Sequence, residues 1–87
     1  MSMKPSEIRL FSKSFCPWCH KAMRWLDQHG IAYEVLDVIE DPKAMKAMLA
    51  ISGQDLAPVI EVNGKVLADF GPDELDEWWH DEGFDKA

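Results

Sequence analysis

The sequence predicts a single α/β domain with the element order βαβαββα and a mixed four-stranded sheet flanked by three helices. The length of 87 residues suits one domain, which we expect to span residues 1–87. Short β-prone runs and helical stripes alternate in the first half, as in a β-α-β crossover unit. In the second half, Asn63-Gly64 separates the β-prone runs Val59–Val62 and Lys65–Ala68. This pair is a strong hairpin signal and predicts two antiparallel strands.

The first three elements form the predicted crossover. Ile8–Ser12 is short, β-prone and partly alternating, which predicts a strand. Pro17 favours a helix start, because its missing N–H would have no partner there, and Gly30 can end the helix with a positive φ. Residues 31–39 are densely apolar and predict a strand that is covered on both faces. A helical crossover makes the two strands parallel.

The remaining two helices also begin at prolines. Asp41 can cap a helix that starts at Pro42 and ends near Gly53. Pro72 opens the last helix. Its first turns are acidic, and negative charge near the positive end of the helix dipole stabilises a helix. The acids are Asp73, Glu74, Asp76 and Glu77.

Composition excludes several classes of partner. The net charge is −7, with 9 basic and 16 acidic residues, which argues against nucleic acid and anionic membranes as partners. No wholly apolar run is longer than residues 56–60, a length far too short to span a membrane. Residues 1–7 have no apolar stretch resembling a signal peptide. We therefore expect a cytoplasmic protein, and we expect it to be a monomer.

The two cysteines, Cys16 and Cys19, lie at the junction between the predicted first strand and the predicted first helix. They are too few for a disulfide scaffold and too close together to pin more than a tiny loop, so reactivity explains them better. Cys16 falls at the cap position, where free N–H groups and the helix dipole favour a thiolate. Cys19 lies inside the first turn and should be covered, with a higher pKa. Thiol–disulfide exchange requires this asymmetry between an attacking and a resolving thiol.

Three other chemistries fit parts of the same segment. A zinc site normally needs four ligands, whereas the chain offers two Cys and three scattered His, so we expect no metal site. Residues 16–20 spell C-P-W-C-H, the haem c attachment pattern, but that chemistry needs export to an oxidising compartment. An iron–sulfur cluster shared by two subunits, held by Cys16 and an external thiol such as glutathione, stays the main alternative.

Several segments together resemble the glutaredoxin family. Residues 12–19 resemble its lysine-containing approach to a Cys-Pro-aromatic-Cys site, and further matches follow in the family's order and spacing at residues 30–34, 52–54, 58–59 and 63–65. The resemblance covers residues 8–80. It implies the thioredoxin fold and a dithiol oxidoreductase that reduces disulfide-containing proteins or glutathione mixed disulfides. Glutathione would then be a cosubstrate.

Residues outside the cysteine pair also have expected roles, and the resemblance implies those of Lys13, Pro58 and Asp73. Lys13 would bind a glutathione carboxylate, and Trp18 would frame the incoming thiol compound. Pro58 would form a cis peptide bond that exposes the Ala57 backbone to substrate. Two further contacts are expected where the last helix starts: Gly71 would meet the other carboxylate with a backbone N–H, and Asp73 would meet the ammonium group.

Two departures from the family pattern bear on the reductant. Leu56-Ala57-Pro58 stands where members usually have Thr-Val-Pro, and residues 68–74 form a longer segment with one glycine. Phe70 in that segment is expected to crowd the glutathione groove. The segment resembles the glutaredoxin-like redoxins that serve ribonucleotide reductase and are reduced by thioredoxin reductase. Glutathione and thioredoxin reductase are therefore both implied as reductants, and we expect weak glutathione-dependent activity.

Overall fold

A computed structural model of the chain describes residues 7–84, so the expectations for residues 1–6 lie outside it. Within this part, the elements follow in the predicted order: β1 Ile8–Ser12, α1 Pro17–Gln28, β2 Glu34–Asp37, α2 Pro42–Ser52, β3 Val59–Val62, β4 Lys65–Ala68 and α3 Pro72–Asp81. No helix in residues 7–84 combines the length and the apolar character that crossing a bilayer would require.

The four strands form one mixed sheet in the order β2-β1-β3-β4. β1 pairs with β2 in parallel and with β3 in antiparallel, and β3 pairs with β4 in antiparallel. Asn63 and Gly64 have φ angles of 49° and 89°, the two positive values that a tight hairpin turn requires. The predicted crossover and hairpin are both confirmed.

Successive β1 residues face opposite sides of the sheet, and each side has its own apolar cluster. Leu10 belongs to the cluster with α1 and α3, whereas Phe11 belongs to the cluster with α2. On the first side α1 contacts α3, and on the second side α2 contacts β1, β2 and β4. A mixed sheet of this order with helices on both faces is the thioredoxin fold, as the resemblance implies.

The second strand differs from its prediction. It covers only Glu34–Asp37 instead of residues 31–39, and Val35 is 45% exposed, so the strand is not covered on both faces. Because β2 lies at the edge of the sheet, the neighbouring elements shield it only in part. Ile31, before the strand, packs against the α1–α3 cluster, and Val38, after it, is buried on the α2 side. The dense apolar run therefore contacts two cores in turn.

The three helices share one kind of beginning. Each has a proline in its first turn, preceded by a cap residue with extended backbone: Cys16, Asp41 and Gly71. The Asp41 side chain accepts a hydrogen bond from the N–H of Lys43 at 2.9 Å, as its cap role predicts. The starts of α1 and α3 meet in space, and this meeting builds the candidate site described below.

Candidate active site

Cys16 is the N-cap of α1, directly after the turn that leaves β1. Its N–H donates to the carbonyl oxygen of Lys13 at 3.0 Å, which fixes the turn. Its Sγ accepts a hydrogen bond from the N–H of Cys19 at 3.3 Å. The first turn of α1 carries no acidic residue, so the positive helix end and its N–H groups act on this sulfur without competition. The side chain is partly exposed, so the sulfur is placed to react.

Cys19 lies one helical turn further on and is fully buried. Burial, helped by a hydrogen bond with the Cys16 side chain, raises the pKa of its thiol to about 11. The backbone of Lys13 and the side chain of Ser12 act in the opposite direction, with a smaller effect. Cys19 is therefore a protonated thiol at neutral pH, as predicted.

The loop before β3 faces Cys16 from the other side. The Ala57–Pro58 bond is cis, as the resemblance implies, and Pro58 is buried. The carbonyl oxygen of Ala57 lies 3.9 Å from Cys16 Sγ, within reach of a weak S–H hydrogen bond. The fold thus brings together the cysteine pair and the Ala57–Pro58 peptide, although they lie about forty positions apart in the chain.

Trp18 connects the starts of α1 and α3. Its side chain is 52% exposed, and Lys21 Nζ lies over its ring, 4.1 Å from the centroid. The ring rests on the backbone of Gly71, since a Cβ atom placed there would lie only 2.9 Å from Trp18 Cζ3. The sequence predicted that Trp18 frames the thiol site, whereas its contact with Gly71 comes from the fold alone.

The start of α3 is occupied by a group from its own first turn. The N–H of Gly71, expected to meet a ligand carboxylate, donates to Glu74 Oε2 at 3.3 Å. Glu74 stands three residues after the cap residue, which is the position of the acid in a capping box. That spacing is visible in the sequence and could have indicated the bond. Asp73 lies exposed in the same turn.

Phe70 does not crowd a groove, contrary to expectation. It is 4% exposed and packs in the cluster beneath α1 and α3. Asp69, just before it, has a φ of 54°. The extra length of residues 68–74 therefore adds a core contact.

Two exposed apolar side chains beside the site were missed by the sequence analysis. Phe15 precedes Cys16 and is 71% exposed, and Leu56 precedes Ala57 and is 53% exposed. Each adjoins a predicted site residue in a connecting segment, where burial is rare, and this was the available signal. With Trp18 they form an apolar rim, defined here as Phe15, Trp18 and Leu56.

The histidines that motivated other chemistries have local contacts. His20 Nε2 is 2.8 Å from the carbonyl oxygen of Ser14, and the ring of His29 stacks on Trp25 with centroids 4.0 Å apart. Within residues 7–84, no three side chains of His, Cys, Asp or Glu are grouped closely enough to hold a metal ion.

A thioredoxin fold with a Cys-x-x-Cys pair at the start of α1 defines a class of dithiol redox proteins. The family model for glutaredoxin matches residues 8–67, and the chain belongs to the glutaredoxin family. Members of this family are thiol oxidoreductases, and this general reaction is the one the site serves.

Individual relatives agree with the family match. Over 70 residues the chain is 31% identical to a glutaredoxin-like 8.6 kDa protein in the rubredoxin operon of Clostridium pasteurianum, covering 80% of this chain and 93% of that one. A solved structure of the glutaredoxin-like NrdH-redoxin of Escherichia coli, described as having a thioredoxin-like activity profile, superposes with a TM-score of 0.72 at 25% identity, covering 83% and 93% of the two chains. A buckwheat glutaredoxin–glutathione complex superposes with a TM-score of 0.68 at 26% identity, covering 88% and 70%.

Proposed function

We propose that this protein reduces disulfide bonds in partner proteins, with Cys16 as the attacking thiol and Cys19 as the resolving thiol. The observation that carries the proposal is the contrast between the two sulfurs. Cys16 is partly exposed at an uncompensated helix start, whereas Cys19 is buried beside it with a pKa raised to about 11. The Cys16 sulfur is thus available as a nucleophile, and the Cys19 sulfur stays a protonated thiol until the resolving step.

The reaction transfers two electrons from the dithiol to the target. The Cys16 thiolate attacks one sulfur of the target disulfide, the target S–S bond breaks, and the released target thiolate takes up a proton. Cys19 then loses its proton and attacks Cys16 Sγ, which releases the second target thiol. The products are a reduced target and a Cys16–Cys19 disulfide.

The order of the two attacks follows from the groups that raise the pKa of Cys19. After burial, these are the hydrogen bond with Cys16 and the charge of Cys16. Both are lost once Cys16 is bonded to the target, so the pKa of Cys19 falls at that stage. The resolving thiol thereby becomes more reactive only after a target is bound.

Target docking would use the Ala57 peptide and the apolar rim. The Ala57 backbone beside Cys16 can pair with an extended target segment in the manner of an added strand. The rim side chains Phe15, Trp18 and Leu56 are exposed and adjoin the site residues in the chain, so they can offer apolar contact. Pro58 holds the peptide in place, since it is buried next to β3.

The oxidised protein would be reduced again by glutathione or by thioredoxin reductase. In the glutathione route, one glutathione thiolate attacks Cys16 and expels Cys19, and a second one frees Cys16 as oxidised glutathione leaves. The buckwheat complex supports this route, and the thioredoxin-like profile of the Escherichia coli relative supports the other. Lys13 and Asp73 are the proposed contacts for glutathione charges. We propose that the protein acts as a cytoplasmic monomer.

The test is insulin reduction by the full chain, with NADPH supplied in parallel through glutathione plus glutathione reductase and through thioredoxin reductase without thioredoxin, and with the rate in the absence of the chain subtracted. We expect turnover with at least one system and none for Cys16→Ser with either. Equal turnover by Cys16→Ser would contradict the proposal. Visible absorbance of a brown anaerobic preparation, lost in Cys16→Ser, would instead favour the iron–sulfur alternative.

A further inference from the structure

The start of α3 is covered by an aromatic ring. A Cβ atom at Gly71 would lie 2.9 Å from Cζ3 and 3.3 Å from Cε3 of Trp18, whereas non-bonded carbons rest at about 3.5–4.0 Å. The ring therefore fits there only because Gly71 has no side chain. Lys21 Nζ lies 4.1 Å from the centroid of the same ring and adds a cation–π contact. Both contacts favour the position in which the ring rests on Gly71.

One backbone donor at this helix start already has a partner. Gly71 donates its N–H to Glu74 Oε2 at 3.3 Å, and Pro72 has no N–H to offer. Asp73 and Glu74 place two negative charges in the first turn. A ligand carboxylate that approaches the start of α3 therefore meets a bonded donor and like charges, and the ring lies in its way.

We infer that Trp18 is a specificity-determining residue that, by resting on Gly71, closes the α3 end of the active site to small carboxylate-bearing thiols such as glutathione. Cys16 and Ala57 stay open to disulfides that proteins present, because their mutual contact does not involve the α3 start. The inference rests on the proposed function and names which substrates the site prefers.

Glutathione is affected more than a protein because it depends on charge contacts. It carries two carboxylates and one ammonium group on a small frame, so it needs anchoring points near the reacting sulfur. A protein target can use the Ala57 peptide and the exposed part of the Trp18 ring. If glutathione must wait for the ring to move, its apparent affinity falls by the fraction of time that the start of α3 is uncovered.

The experiment follows reduction of the Cys16–Cys19 disulfide of the full chain by excess thiol. The second-order rate constant is measured with glutathione and with 2-mercaptoethanol, a neutral thiol without a carboxylate. The ratio of the two rate constants is compared between variants, so that differences in intrinsic thiol reactivity cancel. Because no protein target takes part, the result does not depend on whether insulin is a substrate.

Trp18→Ala is expected to raise the glutathione to 2-mercaptoethanol ratio by about fivefold or more, and Trp18→Phe by less. Lys21→Ala should raise it roughly two- to fivefold, since it removes the contact that holds the ring. Lys46→Ala is the matched control, because it deletes an exposed positive charge on α2 away from the ring. It should leave the ratio unchanged or lower it slightly.

An unchanged or lower ratio in Lys21→Ala, an exposed substitution that does not threaten folding, would overturn the inference, as would an unchanged ratio in folded Trp18→Ala. Insulin reduction by the same variants, with dithiothreitol as donor, is measured separately. If the wild-type chain does not accelerate insulin reduction, the proposed function is contradicted, while the test based on the ratio of rate constants still stands.

Discussion

The starts of α1 and α3 have the same design and opposite electrostatics. Each has an extended cap residue followed by a proline, and the two are joined by the Trp18 ring. At α1, the N–H of Cys19 donates to the Cys16 sulfur, and no acid lies in the first turn. At α3, the N–H of Gly71 donates to the Glu74 carboxylate, and Asp73 adds a second negative charge.

The difference teaches that a helix start favours an external anion only when its own first turn does not supply one. α1 leaves its positive end to the Cys16 sulfur, which becomes the reactive group. At α3, Glu74 accepts the Gly71 N–H and places negative charge at the positive end, and the helix start contacts Trp18. The acidic residues of the first turn, Asp73 and Glu74, distinguish the start of α3 from that of α1.

The largest effect is expected from removing the sulfur at α1. Cys16→Ser should abolish insulin reduction, because no other sulfur described near the helix start is exposed. Cys19→Ser should keep the first attack but accumulate mixed disulfides with targets, since the resolving thiol is gone. Mass spectrometry of the reaction mixtures checks both. Turnover by Cys16→Ser would contradict the claim that the start of α1 makes Cys16 the reactive sulfur.

A second prediction concerns the buried side of the α1 start. The Cys19 thiol ionises near pH 9.0 in its ordinary state and near pH 11 in the folded protein, where burial raises the pKa. Between these values the unfolded chain binds fewer protons, so the free energy of unfolding falls as pH rises. The contribution of Cys19 is fully present below pH 9 and declines by on the order of 1 kcal/mol per pH unit up to 11.

Urea unfolding of the reduced protein at pH 8 and pH 10 measures this decline, with Cys19→Ala as the reference. The pKa of Tyr33 is also raised by burial, so some decline will remain in the variant. The wild-type protein should nevertheless lose more stability than Cys19→Ala over this interval. Equal losses would show that Cys19 is not held in its neutral form.

A third prediction opens the α3 start without touching α1. Glu74→Gln keeps an acceptor for the Gly71 N–H but removes the charge, so the free energy of unfolding should fall by about 0.3–1 kcal/mol. The glutathione to 2-mercaptoethanol ratio should rise, by less than in Trp18→Ala. Glu77→Gln is the matched control, because it removes the same charge in the second turn, three residues after Glu74. If both variants behave alike, the bond to Gly71 has no special part.

The smallest effects are expected at the proposed charge contacts for glutathione. Lys13→Ala and Asp73→Ala should each lower the glutathione rate constant by less than about tenfold, with smaller effects at high salt. If Trp18 covers the α3 start, Asp73→Ala should cost more in a Trp18→Ala background than in the wild type. The double-mutant cycle measures this coupling, and strict additivity would count against it.

The sequence predicted the elements well because their signals are local. Prolines mark the helix starts, Asn63-Gly64 fixes the hairpin, and the two cysteines fall where a strand meets a helix. The exposure of β2 could not be predicted, because an apolar run does not tell an edge strand from a central one. Whether Val35 is covered depends on strand order, which is a property of the whole sheet.

The features of the candidate site also fall into two groups: those that local sequence predicts and those that depend on the whole fold. The position of Cys16 and the burial of Cys19 follow from their places in one helix start, and both were predicted from sequence. The contact between Trp18 and Gly71 joins residues far apart in the chain, and it depends on how α1 and α3 lie on the sheet. Phe70 was misplaced for a related reason, since its burial depends on packing in the cluster formed with α1 and α3.

The central claim is that the α1 start makes Cys16 the reactive sulfur and keeps Cys19 a buried, protonated thiol. Iodoacetamide labelling of the reduced protein across pH 6 to 11, with peptide mapping at each pH, tests it most directly. Carbamidomethyl should appear on Cys16 first at every pH, and on Cys19 only in chains whose Cys16 is already modified, because burial and the Cys16 side chain keep the pKa of Cys19 raised. Labelling of Cys19 before Cys16 would contradict the account.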